Sequence, residues 1–162
     1  MLLRVLRFVR LPLVLLLIWT IARFSLGLMG TPYAPRGNAM FSVVVMTVIT
    51  ALIYGALSHR VGNFNWVGTI LCGVVIGLFS QILIFTATLI SYVANVDTYF
   101  THWDALNIPE GTTIPMGKAL ATRAGGLIAG PIMGTVMALI GRAVFGKLAP
   151  RCHEAGDGAR LP

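Results

Sequence analysis

Four long apolar stretches, each bounded by charged or turn-forming residues, set the rhythm of this chain: residues 11–28, 39–57, 66–93 and 118–145. A helix rises about 1.5 Å per residue, so crossing about 30 Å of hydrocarbon takes about 20 apolar residues. Each stretch meets that length. The pattern therefore predicts an all-α integral membrane protein, a four-transmembrane-helix bundle occupying residues 1–145 as one unit. The third stretch would be about 42 Å long as a helix, so it must tilt or project from the bilayer.

The fourth stretch carries the clearest packing signal. Within AGGLIAGPIMGTVMALIG, between Arg123 and Arg142, the residues Gly126, Gly130, Gly134 and Ala138 recur at every fourth position. They form a ridge without bulky side chains, which another helix backbone can approach closely, and in lipid such contact is a main source of helix association. The ridge suits either a helix of the same bundle or a partner chain. In the third stretch Gly73 and Gly77 offer a second close-packing site.

Polar residues inside the spans are few and uncharged. Gln81, Thr88 and Tyr92 share a helical face with Gly73 and Gly77, and Thr47 and Tyr54 share one face of the second span. An amide at the depth of Gln81 needs hydrogen-bond partners, so this seam is expected to face protein or a water-filled cavity.

The connecting segments differ in character. Residues 1–10 place Arg4, Arg7 and Arg10 on one arc of a helix and Leu2, Leu3, Leu6 and Val9 largely outside it, an amphipathic lead-in suited to headgroups. Residues 11–22 could pass for the core of a signal peptide, but the apolar pattern resumes after Arg23 and completes a span. Arg23 itself would snorkel to the interface or pair with an acid of a later loop. Residues 30–38 and 62–65 read as turns, and Trp66 as an interfacial anchor. Residues 95–106 space Val96, Tyr99, Phe100, Trp103 and Leu106 for one face and Asp97, Thr101 and Asp104 for another. That spacing predicts a short outer interfacial helix whose Asp97, Tyr99, Phe100, Trp103 and Asp104 could meet a partner. Residues 146–162 read as a basic, flexible tail.

Composition agrees with the pattern. Of 162 residues 57% are hydrophobic and 10% charged, against about 25% charged in soluble domains, and mean hydropathy is +0.86. The net charge of +7 raises nucleic acid as a partner, but the cations flank apolar spans instead of forming a basic stripe, so they serve topology and contact with lipid. Four spans put Arg4, Arg7, Arg10, Arg60, Arg142, Lys147, Arg151 and Arg160 on the side of the termini. The other side receives Arg23, Arg36, Lys118 and Arg123 with the acids Asp97, Asp104 and Glu110. The bias predicts both termini in the cytoplasm, with the bacterial inner membrane as the expected location, and Arg4, Arg7, Arg10, Arg142 and Lys147 against an anionic inner leaflet.

Candidate chemistry is sparse. Cys72 and Cys152 form no metal or haem motif. Asp97, His102 and Asp104 do not share one helical face, and His59 and His102 fall at opposite ends of the bundle, so neither a metal site nor haem ligation is expected. The centres of the spans lack Asp, Glu and Lys, which argues against ion coupling, and no nucleophile and base share a face at one depth. The chain thus reads as a non-catalytic accessory, scaffolding or assembly subunit of a membrane complex or a homo-oligomer, without a cofactor, using the Gly126–Ala138 ridge and the outer segment. The alternative is a small passive channel or facilitator along Thr47, Tyr54, Gln81, Thr88 and Tyr92.

Overall fold

The computed structural model describes residues 1–30, 42–106, 108, 109, 112 and 114–149. Every regular element among them is helical. In order they are α1 (Leu2–Phe8), α2 (Arg10–Leu28), α3 (Val43–Arg60), α4 (Trp66–Val93) and α5 (Met116–Ile140), with α5 continued by a π-helical turn, Gly141–Phe145. Four helices are long and apolar enough to cross a membrane: α2, α3, α4 and α5 with its extension. The expected span 66–93 coincides with α4, and 11–28 and 118–145 begin within two residues of α2 and α5. α3 runs three residues beyond the expected end at 57, while residues 39–41 of that expectation lie outside the described residues, as do most of the basic tail, Arg36 and Glu110.

Local chemistry explains the helix ends. Pro12 has no N–H to offer the Phe8 carbonyl, and the lead-in breaks there, between α1 and α2. The Ser42 side chain accepts from Val45 N–H at 3.4 Å to open α3, and Asn65 Oδ1 accepts from Gly68 N–H at 2.9 Å to open α4. Asn63, in the turn between these helices, and Asn95, just past α4, both have a left-handed backbone, φ 49° and 52°, which asparagine tolerates better than most residues.

The spanning helices alternate in direction, and α5 packs chiefly on α4 and then on α3. Leu16, Ala51, Cys72, Ile76 and Ile84 are buried between them. The lead-in contributes to this core as well as carrying charge. Val5 and Val9 are fully buried, and the Phe8 ring meets Tyr54 and Phe64 edge-on at centroid distances of 5.3 and 5.4 Å. Arg4, Arg7 and Arg10 stay exposed on the other arc.

Between α4 and α5 the observed backbone departs from the expected helix over 95–106. The segment is a series of turns with a single 3-10 turn, Asp104–Leu106. Thr98 Oγ1 accepts the Phe100 N–H at 3.2 Å and Thr101 Oγ1 accepts the Thr98 N–H at 3.2 Å, so side chains hold backbone donors. Such local bonds compete with helix formation, and here they win.

Candidate functional site

The predicted helix-packing residues meet one another within one chain. A Cβ on Gly73 would lie 2.5 Å from the Gly134 carbonyl oxygen and 2.6 Å from Thr135 Cα, and one on Gly77 would fall on the Gly130 carbonyl. From the α5 side, Gly134 abuts the Gly73 carbonyl, Gly130 abuts the Gln81 side chain, and Gly126 lies against Gln81 Oε1. Ala138 presses its backbone onto Gly55 of α3. The ridge from Gly126 to Ala138 is therefore covered by α4 and α3. Of the two readings the sequence left open for it, the ridge shows packing on helices of the same chain.

The residues of the expected polar seam have different partners. Thr47 and Thr88 are fully buried, and their hydroxyls donate to the Val43 and Ile84 carbonyls of their own helices at 2.7 and 2.8 Å. Tyr54 packs on Phe8, Gln81 sits against α5, and the Tyr92 hydroxyl donates to the Ile114 carbonyl at 3.0 Å. Among the described residues no hydrogen bond joins any two of the five.

At the end of the bundle that holds the 95–106 turns, the partner-surface residues divide. Phe100 is buried, with its ring 6.3 Å from Phe24, and its carbonyl accepts from Arg123 Nη2 at 3.0 Å. Tyr99 turns its ring to Arg23, whose guanidinium carbon lies 5.1 Å from the centroid. Arg23 is 8% exposed, so it is held in protein and does not extend into solvent. Arg23, Ser42, Tyr99 and Arg123 border a cavity of about 130 Å³. Asp97 remains exposed. With His102, Trp103 and Tyr92 it lines a larger hollow of about 360 Å³. The His102 ring packs 4.9 Å from that of Trp103, and its Nδ1 accepts the Asp104 N–H at 3.3 Å. Among the described residues no three His, Cys, Asp or Glu side chains gather as a metal site.

The opposite end holds a network that nothing in the sequence pairs up. Arg142 Nη1 donates to Thr69 Oγ1 at 2.7 Å and to the Phe64 carbonyl at 3.1 Å, while its guanidinium carbon lies 4.3 Å from the Trp66 ring centroid. Thr69 and Ser58 share a hydrogen bond between hydroxyls 2.7 Å apart, with the Gly55 carbonyl 2.7 Å from Ser58 Oγ and the Asn65 carbonyl 3.3 Å from Thr69 Oγ1 as their other acceptors. One chain of bonds thus links α5, α4 and α3. Arg60 Nη1 donates to the Ala149 carbonyl at 2.8 Å and holds the segment that follows the π turn. His59, Arg60, Trp66, Arg142 and Lys147 border a cavity of about 660 Å³. The charge bias along the sequence gave Arg142 and Lys147 a leaflet contact; the participation of His59 and Arg60 depends on how α3 ends beside the extension of α5. Comparison with protein-family models, curated proteins and solved structures gives no match to this chain.

Proposed function

We propose that this chain is a non-catalytic accessory or assembly subunit that holds a transmembrane helix of a partner protein against the outward face of α5. One observation carries the reading. Gly117, Ala121, Gly125 and Ala129 recur at every fourth position and are all exposed, and a Cβ on Gly117 or Gly125 would meet nothing within 4 Å among the described residues. Large side chains gain more dispersion contact with lipid than small ones do, whereas a groove of small residues suits the close approach of another helix. The ridge from Gly126 to Ala138 does this work inside the bundle, and the neighbouring face of the same helix is left open to do it outside. Asp97 and Trp103, on the rim at that end, would add polar contact to the docked helix. The alternative of a passive path draws no comparable support, because Thr47 and Thr88 are buried with their hydroxyls turned to their own helices.

The expected result is co-purification with a larger subunit after gentle extraction from the native membrane, read by native mass spectrometry, and its loss in Gly125→Leu. A Gly125→Leu protein that keeps its partner would remove the docking face. A homodimer lost in the same variant would make the partner helix a second copy of α5.

The same proposal has both termini in the cytoplasm and the chain in a bacterial inner membrane, with the charge bias as the support for the orientation. Cys72 is buried, so Cys152 is the thiol that an impermeant maleimide should find. Labelling is expected in opened membranes and not in intact cells; labelling of intact cells would invert the topology.

A further inference from the structure

We propose that the cavity bordered by His59, Arg60, Trp66, Arg142 and Lys147 binds the phosphodiester headgroup of an anionic glycerophospholipid. The inference is independent of the docking face on α5, which it does not use.

Three cations and an imidazole from two separated parts of the sequence converge on one hollow, and no carboxylate is among its lining residues in the described part of the chain. The carboxylates among the described residues, Asp97 and Asp104, lie at the other end of the bundle. An anion is the ligand that such a surround leaves uncompensated. The protein also fixes the donors in place. Arg142 is anchored through Nη1 to Thr69 and Phe64 and lies on Trp66, and Arg60 is anchored through Nη1 to the Ala149 carbonyl. Each guanidinium has five N–H donors in a planar fork, so one anchored nitrogen leaves others able to bind phosphate oxygens. The amino-terminal end of the 28-residue helix α4, where Trp66 stands, contributes positive potential beside them.

The setting separates a lipid from a free anion. The cavity lies where the spanning helices α3 and α5 end and α4 begins. Val67, Val144 and Leu148, beside the lining residues in the chain, are exposed by 55%, 59% and 80%. A headgroup in the cavity would place its acyl chains over this apolar surface, and basic pockets between spanning helices are known to take such headgroups. A volume near 660 Å³ admits a phosphodiester with its glycerol, and lies within the usual range of small-molecule sites, about 300–1,000 Å³. Free phosphate would leave most of it to water.

The test uses the full-length chain in neutral detergent, stripped of lipid and titrated with dioleoyl phosphatidylglycerol, dioleoyl phosphatidylcholine or inorganic phosphate. Bound lipid is counted by native mass spectrometry. Phosphatidylglycerol is expected to bind about tenfold more tightly than phosphatidylcholine, with Lys147→Gln lowering its affinity about fivefold, the usual worth of one basic residue at an anionic surface. Lys147 is exposed and its side chain makes no hydrogen bond among the described residues, so this variant should keep the fold, which its melting temperature checks. Lys118→Gln, exposed at the opposite end of the bundle, should leave the affinity unchanged. Equal losses in the two variants would mean diffuse attraction and overturn the site. So would equal affinity for the two lipids. Displacement of phosphatidylglycerol by millimolar inorganic phosphate would make the ligand a free anion and overturn the lipid assignment.

Discussion

Gly77→Ala is expected to destabilise the bundle by about 2 kcal/mol, although alanine is the better helix former by about 1 kcal/mol. The added methyl would fall on the Gly130 carbonyl and within 3.0 Å of Pro131 Cα, both backbone atoms. No rotamer change can make room, so α4 and α5 must move apart along the seam they share. Gly125→Ala is the matched control. It makes the same chemical change on α5, but in open space, and is expected to keep or slightly raise the stability of the isolated chain. Unfolding in mixed micelles, followed by circular dichroism, checks both. Similar behaviour of the two variants would mean that the glycine seam does not hold the helices.

The second large effect belongs to Arg142. Arg142→Gln removes charged donors from Thr69 Oγ1 and the Phe64 carbonyl, each such bond being worth about 1.5–3 kcal/mol, and takes a cation off the Trp66 ring, a contact worth about 0.5–1 kcal/mol. The glutamine amide and water recover part of this because the site is only partly buried, so the expected net loss is about 2 kcal/mol in the same unfolding assay. Arg142→Lys keeps the charge but not the planar fork, and should restore less than half of the loss. Full recovery with lysine would reduce the site to a point charge.

These two positions mark the mechanical design of the bundle. Mid-membrane, helices are joined by backbone contact across glycines, where no charged group is needed. Near one membrane face, where α3, α4 and α5 end or begin together, an arginine ties them through Thr69, Ser58 and Phe64. There Arg142, itself only partly buried, reaches the buried Thr69–Ser58 pair, whereas the hydroxyls of Thr47, Ser80 and Thr88 bond to carbonyls of their own helices.

The sequence by itself determined the spans, because crossing hydrocarbon imposes a length and a polarity that each segment must satisfy alone. It determined too that Gly73, Gly77, Gly126, Gly130, Gly134 and Ala138 would lie at helix contacts, since a four-residue repeat of small side chains has that meaning wherever the helix ends up. Which helix fills that groove was not legible. The same ridge fits a neighbour in the chain or in another chain, and only the packing of α5 on α4, with Gly77 at Gly130 and Gly73 at Gly134, decides it. Residues 95–106 mislead in the other direction, because helical spacing of their aromatics says nothing about Thr98 and Thr101 taking the N–H groups that a helix needs. The basic cavity likewise belongs to the tertiary structure: His59 and Arg60 stand more than 80 residues from Arg142 and Lys147 in the chain, and only antiparallel packing brings the end of α3 beside the end of α5.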